Sequence, residues 1–125
     1  RLWAAWSPGH DASDDLPRVK DALRDPANLS AAIAYYRATI GSGPRHPDLD
    51  AVESAGAGPR PQPTLYLHGA DDGCMGADLI EPTQVLSSLP HEASRVEVVA
   101  GTGHFLHLER PAEVNRLVID HVTAG

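Results

Sequence analysis

The chain's 125 residues fit one domain with an ordinary core, and 42% hydrophobic with 22% charged content excludes general disorder. A formal charge of −7, with Lys20 the single lysine and the arginines scattered, argues against a nucleic-acid surface. No apolar run approaches the roughly 18 residues that cross a bilayer, and no signal peptide is visible.

The record opens on Arg1, Leu2 and Trp3 with no polar lead-in, so it is expected to begin inside something larger or to be a processed or truncated product. Trp3 and Trp6 are spaced for one helical face before Ser7-Pro8-Gly9 breaks it. Asp14 or Asp15 then caps a helix carrying Leu16, Val19 and Leu23, which Asp25-Pro26 is expected to end. Ser30 is the expected N-cap of a second helix, with Leu29, Ile33, Tyr36 and Ile40 on one face and Gly41 closing it in the left-handed conformation. From Gly41 to Pro63 the composition shifts to Gly, Ser, Pro, Ala and acids. A linker is expected there, assigned to 44–62, with one helical turn near Leu49–Val52; it divides residues 1–43 from 63–125.

Beyond it the pattern changes to strand, loop, helix, repeated. Thr64–His68 reads as a strand stopped by Gly69, and residues 70–78 as a polar loop. Pro82 starts a helix bearing Val85, Leu86 and Leu89. Arg95–Val99 is a β-branched strand broken at Gly101-Thr102-Gly103, and Pro111 opens a last helix with Val114, Leu117, Val118 and Val122 as its stripe. This order predicts an α/β fold with a parallel sheet. Such strands are usually buried on both faces, so two alone leave partners to be supplied, and self-association through unpaired edges is one way to supply them.

Each strand ends in a loop with an ionisable candidate: Asp72, with Asp71 beside it, and His104. An acid and a histidine at the carboxyl ends of separate strands suit two members of a catalytic triad. His104, His107 and Glu109 do not converge as a metal-binding helix motif does, so no metal is expected. His107 and Glu109 read better as loop-stabilising residues. Cys74 lacks an elbow and a helix N-terminus to activate it. As the single cysteine it forms no internal disulfide, which fits a cytoplasmic location. Ser54 in ESAGAG imitates a nucleophile elbow, but no apolar strand precedes it.

Residues 63–125, with PTLYLHG and the G-H-x-x-H-x-E-x-P pattern over Gly103–Pro111, resemble the C-terminal end of α/β-hydrolase fold enzymes. The resemblance is in particular to the cap-bearing branch containing epoxide hydrolases, haloalkane dehalogenases and haloperoxidase-like esterases. The resemblance places the triad acid on Asp72, three residues after Gly69, and the histidine on His104. It makes residues 1–43 part of a helical cap, since AIAYYRATI is similar to a cap helix of epoxide hydrolases. There a tyrosine before an arginine binds the epoxide oxygen, a substrate-binding role that falls on Tyr36. Ala34 and Tyr35 depart from the Asn and Trp common in that pattern, so the string does not fix the substrate. The resemblance implies hydrolysis of an ester or epoxide small molecule without a cofactor. The oxyanion loop and the G-x-S/D-x-G elbow are absent, so the nucleophile is expected outside these residues and the fragment alone is expected to be inactive. The competing expectation is a non-catalytic remnant or interaction module.

Overall fold

Residues 1–41, 43, 46–58 and 61–124 are described in the computed structural model. Ser42, Pro44, Arg45, Pro59 and Arg60, in and beside the expected linker, lie outside the described residues, as does Gly125. The chain is mixed helix and strand and divides into two units: Arg1–His10 with Pro59–Gly125, and Asp11–Gly58. This division differs from the sequence-based one, because the first ten residues pack with the C-terminal region rather than with the helices that follow them.

The first unit holds helix α1 (Leu2–Trp6), strand β1 (Leu65–Gly69), helix α5 (Pro82–Ser88), strand β2 (Arg95–Val99), a short α6 (Leu106–Glu109) and α7 (Pro111–Thr123). The strands pair in parallel, from Leu65 opposite Arg95 to Gly69 opposite Val99. Both therefore deliver their following loops to the same end of the sheet. The α5 crossover begins where Pro82 supplies a preset φ and Glu81 accepts from the Gln84 N–H at 3.1 Å, filling one of the free first-turn donors. The sheet has only these two strands among the described residues.

Val99, Val114 and Leu117 are the buried apolar side chains of this unit, while Val118 and Val122 of the predicted α7 stripe remain exposed. The polar residues Ser7, His68, Asp72, Ser94 and Thr102 are buried with them. Buried polar groups are costly unless satisfied, so their hydrogen bonds organise this end of the molecule. Two of the loop glycines are required by close approach. A Cβ on Gly69 would lie 2.1 Å from the Gly103 carbonyl oxygen, and one on Gly103 would lie 2.4 Å from Ser7 Cα.

The second unit holds α2 (Asp15–Ala22), α3 (Pro26–Thr39), a 3-10 turn (Pro47–Leu49) and α4 (Asp50–Ala57). Here the sequence reading needs correction. Asp25-Pro26 starts α3 rather than ending α2: Asp25 is the N-cap, its carboxylate accepting from the Ala27 N–H at 2.8 Å, with Pro26 as first helical residue. Ser30 lies inside that helix. Gly41 does not close it in a left-handed conformation, since Gly101 is the only positive-φ residue among those described. Ile40 caps it instead, its N–H reaching the Tyr36 carbonyl. The supposed linker carries the whole of α4. No helix among the described residues is long and apolar enough to cross a membrane.

Candidate active site

The loop after β1 is built around the carboxylate of Asp72. The Asp72 N–H turns back to the Gly69 carbonyl at 3.2 Å, which carries the side chain inward to 8% exposure. Oδ1 accepts from the N–H groups of Cys74 (2.7 Å) and Met75 (3.0 Å), an Asx-type turn in which the acid organises its own loop. Oδ2 lies 3.0 Å from His104 Nδ1. Burial pushes the carboxyl pKa up, but the Met75 and Cys74 N–H groups and His104 outweigh it, and the net shift is below the ordinary carboxylate value. Asp71 is exposed and contributes its backbone N–H to the Thr102 carbonyl at 2.8 Å. Of the two adjacent acids, Asp72 is the one that meets the histidine.

His104 is held through its backbone from three sides. The Thr102 hydroxyl donates to the Val99 carbonyl (2.9 Å), closing the turn after β2. The Gly103 N–H donates to both oxygens of Glu109, at 2.9 and 3.0 Å, which gives Glu109 the loop-stabilising role read from the sequence. The His104 N–H donates to the Trp6 carbonyl at 2.9 Å, and the Phe105 N–H to Ser7 Oγ at 3.0 Å. The same Trp6 carbonyl also accepts from Gly73 N–H at 3.1 Å, so one oxygen ties the acid loop to the histidine loop. The Trp6 ring stands edge-on to the imidazole with centroids 4.8 Å apart.

An ionised carboxylate only accepts, so the hydrogen of the neutral imidazole sits on Nδ1 and Nε2 presents its lone pair. No hydrogen bond of Nε2 occurs among the described residues, and the His104 side chain is 32% exposed against 6% for Asp72. A buried acid, an oriented ring and an accessible nitrogen form an arrangement able to take and return a proton.

The structure brings Asp72 and His104 together, and Tyr36 belongs to the other unit. Tyr36 is exposed on α3, its ring 4.1 Å from that of Tyr35. Ser54 is exposed on α4, and Cys74 is an exposed free thiol. His107 is exposed, and no group of metal-ligating side chains converges among the described residues. A hollow of about 80 Å³ lined by Pro63, Ala93, Arg95, His121 and Ala124 includes neither member of the pair. Sequence reasoning missed Ser7, Trp6, Tyr66 and His68. Nothing local announces the first two. Alternation along β1 does place Tyr66 and His68 on one face, and a histidine amid apolar strand residues was the available signal.

The low-lying Asp72 carboxyl makes stability depend on pH. The folded state binds fewer protons here than the unfolded chain, so the contribution is complete above the unfolded carboxylate value of about 3.9 and is lost as pH falls through the lower folded value. Urea unfolding should show the wild type more stable than Asp72→Asn by roughly 1–3 kcal/mol near neutrality. That difference should shrink steadily below about pH 4; a constant difference down to acid pH would contradict it.

Comparison with family models, with curated proteins and with solved structures found no match to this chain.

Proposed function

We propose that the chain carries the acid–histidine half of a nucleophile–His–acid hydrolase centre of the α/β-hydrolase kind, acting on a small ester or epoxide. The observation that carries this reading is the 3.0 Å contact of His104 Nδ1 with a buried carboxylate whose other oxygen is held by two backbone N–H groups. It is supported by the placement of both residues just beyond neighbouring parallel strands, where α/β folds present their sites.

With a serine nucleophile, Nε2 takes the hydroxyl proton as the oxygen attacks the ester carbonyl, and delivers it to the departing alkoxide. Water then repeats the exchange to release the acid and restore the serine. With an aspartate nucleophile, the carboxylate opens the epoxide C–O bond to give an ester, the freed alkoxide taking a proton from solvent. Nε2 then withdraws a proton from the water that attacks the ester and delivers it to the departing alcohol oxygen, and the released aspartic acid returns its proton to solvent. In both, Asp72 stabilises the imidazolium. The nucleophile and oxyanion donors are supplied from outside these residues, on a G-x-S-x-G or G-x-D-x-G elbow. Residues 11–43, with Tyr36, belong to a substrate-covering cap, and the free Cys74 suits a reducing cytoplasm.

The test is turnover of aryl esters and aryl epoxides by the product of the complete reading frame, beside residues 1–125 alone. Hydrolysis by the former only is expected. Turnover by residues 1–125 alone would place the nucleophile wrongly, and an inactive complete product would overturn the reading. The remnant or interaction-module reading is favoured by one feature, the single partner that each strand has among the described residues, together with Val98 at 42% exposure on β2. An inactive complete product that self-associates through these edges is the result it requires.

A further inference from the structure

Tyr66 and His68 project from the same face of β1, their rings nearly parallel at 7° and 6.0 Å between centroids. His68 is only 5% exposed, and both ring nitrogens are engaged. Nε2 lies 2.9 Å from the Met75 carbonyl oxygen, and Nδ1 lies 3.2 Å from the Tyr66 hydroxyl. A carbonyl oxygen can only accept, so Nε2 carries the hydrogen, and in the neutral ring Nδ1 accepts from the phenol. Burial, and then the negative charge of Asp72, push the Tyr66 pKa up, which keeps that phenol a donor.

Met75 is thus grasped at both ends. Its carbonyl is taken by His68, and its N–H is given to Asp72 Oδ1. These groups belong to consecutive peptide units, so the coupling is positional rather than a relay of charge. An apolar side chain would fill the His68 position without the cost of burying an imidazole. What histidine adds is a donor, set by the strand, aimed at the loop that fixes the acid.

We propose that His68 is a positioning residue for the Asp72–His104 pair: as its Nε2–H tautomer, with the ring steadied by the Tyr66 hydroxyl on Nδ1, it pins the Met75 carbonyl. It thereby keeps the Met75 N–H on Asp72 Oδ1 and the opposite oxygen on His104 Nδ1. The catalytic consequence rests on the hydrolase reading above; the positional claim does not.

The experiment is NMR on the 125-residue chain with labelled histidine, which needs no turnover. Long-range nitrogen–proton correlation should show His68 as the Nε2–H tautomer, and finding Nδ1–H would overturn the proposal. In His68→Leu, the hydrogen-bonded Nδ1–H signal of His104 should exchange with solvent at least about tenfold faster. In His68→Gln, whose amide can still reach the Met75 carbonyl, it should return toward wild type. A folded His68→Leu with wild-type exchange would refute the idea. Should that variant not fold, Tyr66→Phe decides, since it frees Nδ1 and loosens the ring while the Met75 carbonyl still sets the tautomer. Faster exchange of the His104 Nδ1–H supports the lock, and unchanged exchange removes it. In the active complete protein, His68→Leu should lower kcat about tenfold with KM little changed, and His68→Gln should recover it. An inactive complete protein with the expected spectra sinks the hydrolase reading alone, whereas full activity with unaltered spectra in His68→Leu sinks the positioning role alone.

Discussion

On the hydrolase reading proposed above, replacing His104 with alanine in the complete protein is expected to lower kcat by about 10⁴- to 10⁶-fold, while leaving the fold in place. The large effect follows from the ring's double duty, since the same Nε2 must accept a proton in one half-reaction and return it or activate water in the other. The small effect on folding follows from how the residue is held. Its anchoring is through the backbone N–H to the Trp6 carbonyl, at 2.9 Å, and alanine retains that bond. The ring is about a third exposed, so its removal opens no sealed cavity. Steady-state kinetics beside urea unfolding separates the two readouts. A variant that keeps most of its kcat removes His104 from the chemistry, whatever the geometry suggests.

Asp72→Asn is expected to cost about 10⁴-fold in kcat by a different route. The asparagine carbonyl can still accept from the Cys74 and Met75 N–H groups, so the loop is kept. Its NH₂ group, however, replaces Oδ2 opposite Nδ1 and donates where the carboxylate accepted. The ring answers by moving its hydrogen to Nε2, and the nitrogen that should act as base becomes a donor. No carboxylate then remains to stabilise the imidazolium. The loss should fall on kcat rather than KM, and the His104 tautomer should invert by NMR. A 10⁴-fold loss without inversion would assign the effect to lost charge alone. Less than about tenfold would release Asp72 from the role.

Much of the pair was legible because its signals are local. β2 occupies the predicted Arg95–Val99 span, and Pro111 opens α7 as expected. Asp72 faces inward because the turn at Gly69 leaves Asp71 outside. The errors have physical causes. Proline serves as both stop and first residue, and at Pro26 the deciding fact is the Asp25 carboxylate reaching forward to Ala27. Helix α4 was read as a single turn near Leu49–Val52 because DAVESAGA is rich in small residues and sits in a stretch of Gly, Ser, Pro and acids. The Trp6 and Ser7 contacts were beyond reach, since hydrogen bonds between residues 98 apart leave no pattern in a window of any useful width.

That last separation bears on how the chain acquires its order in time. Phe105 and His104 are made 98 residues after the Ser7 hydroxyl and the Trp6 carbonyl that they meet, roughly 5–20 s later at ribosomal speed. Until those residues emerge, neither of these two bonds can form. The alignment of His104 with Asp72 is closed by some of the longest loops in the molecule, and closing long loops is entropically costly and slow. Secondary structure can settle as it emerges, but the Asp72–His104 geometry waits for β2 and the turn beyond it. On the proposed hydrolase reading, a nascent chain is chemically silent until then, which keeps a half-built centre from acting on whatever it meets.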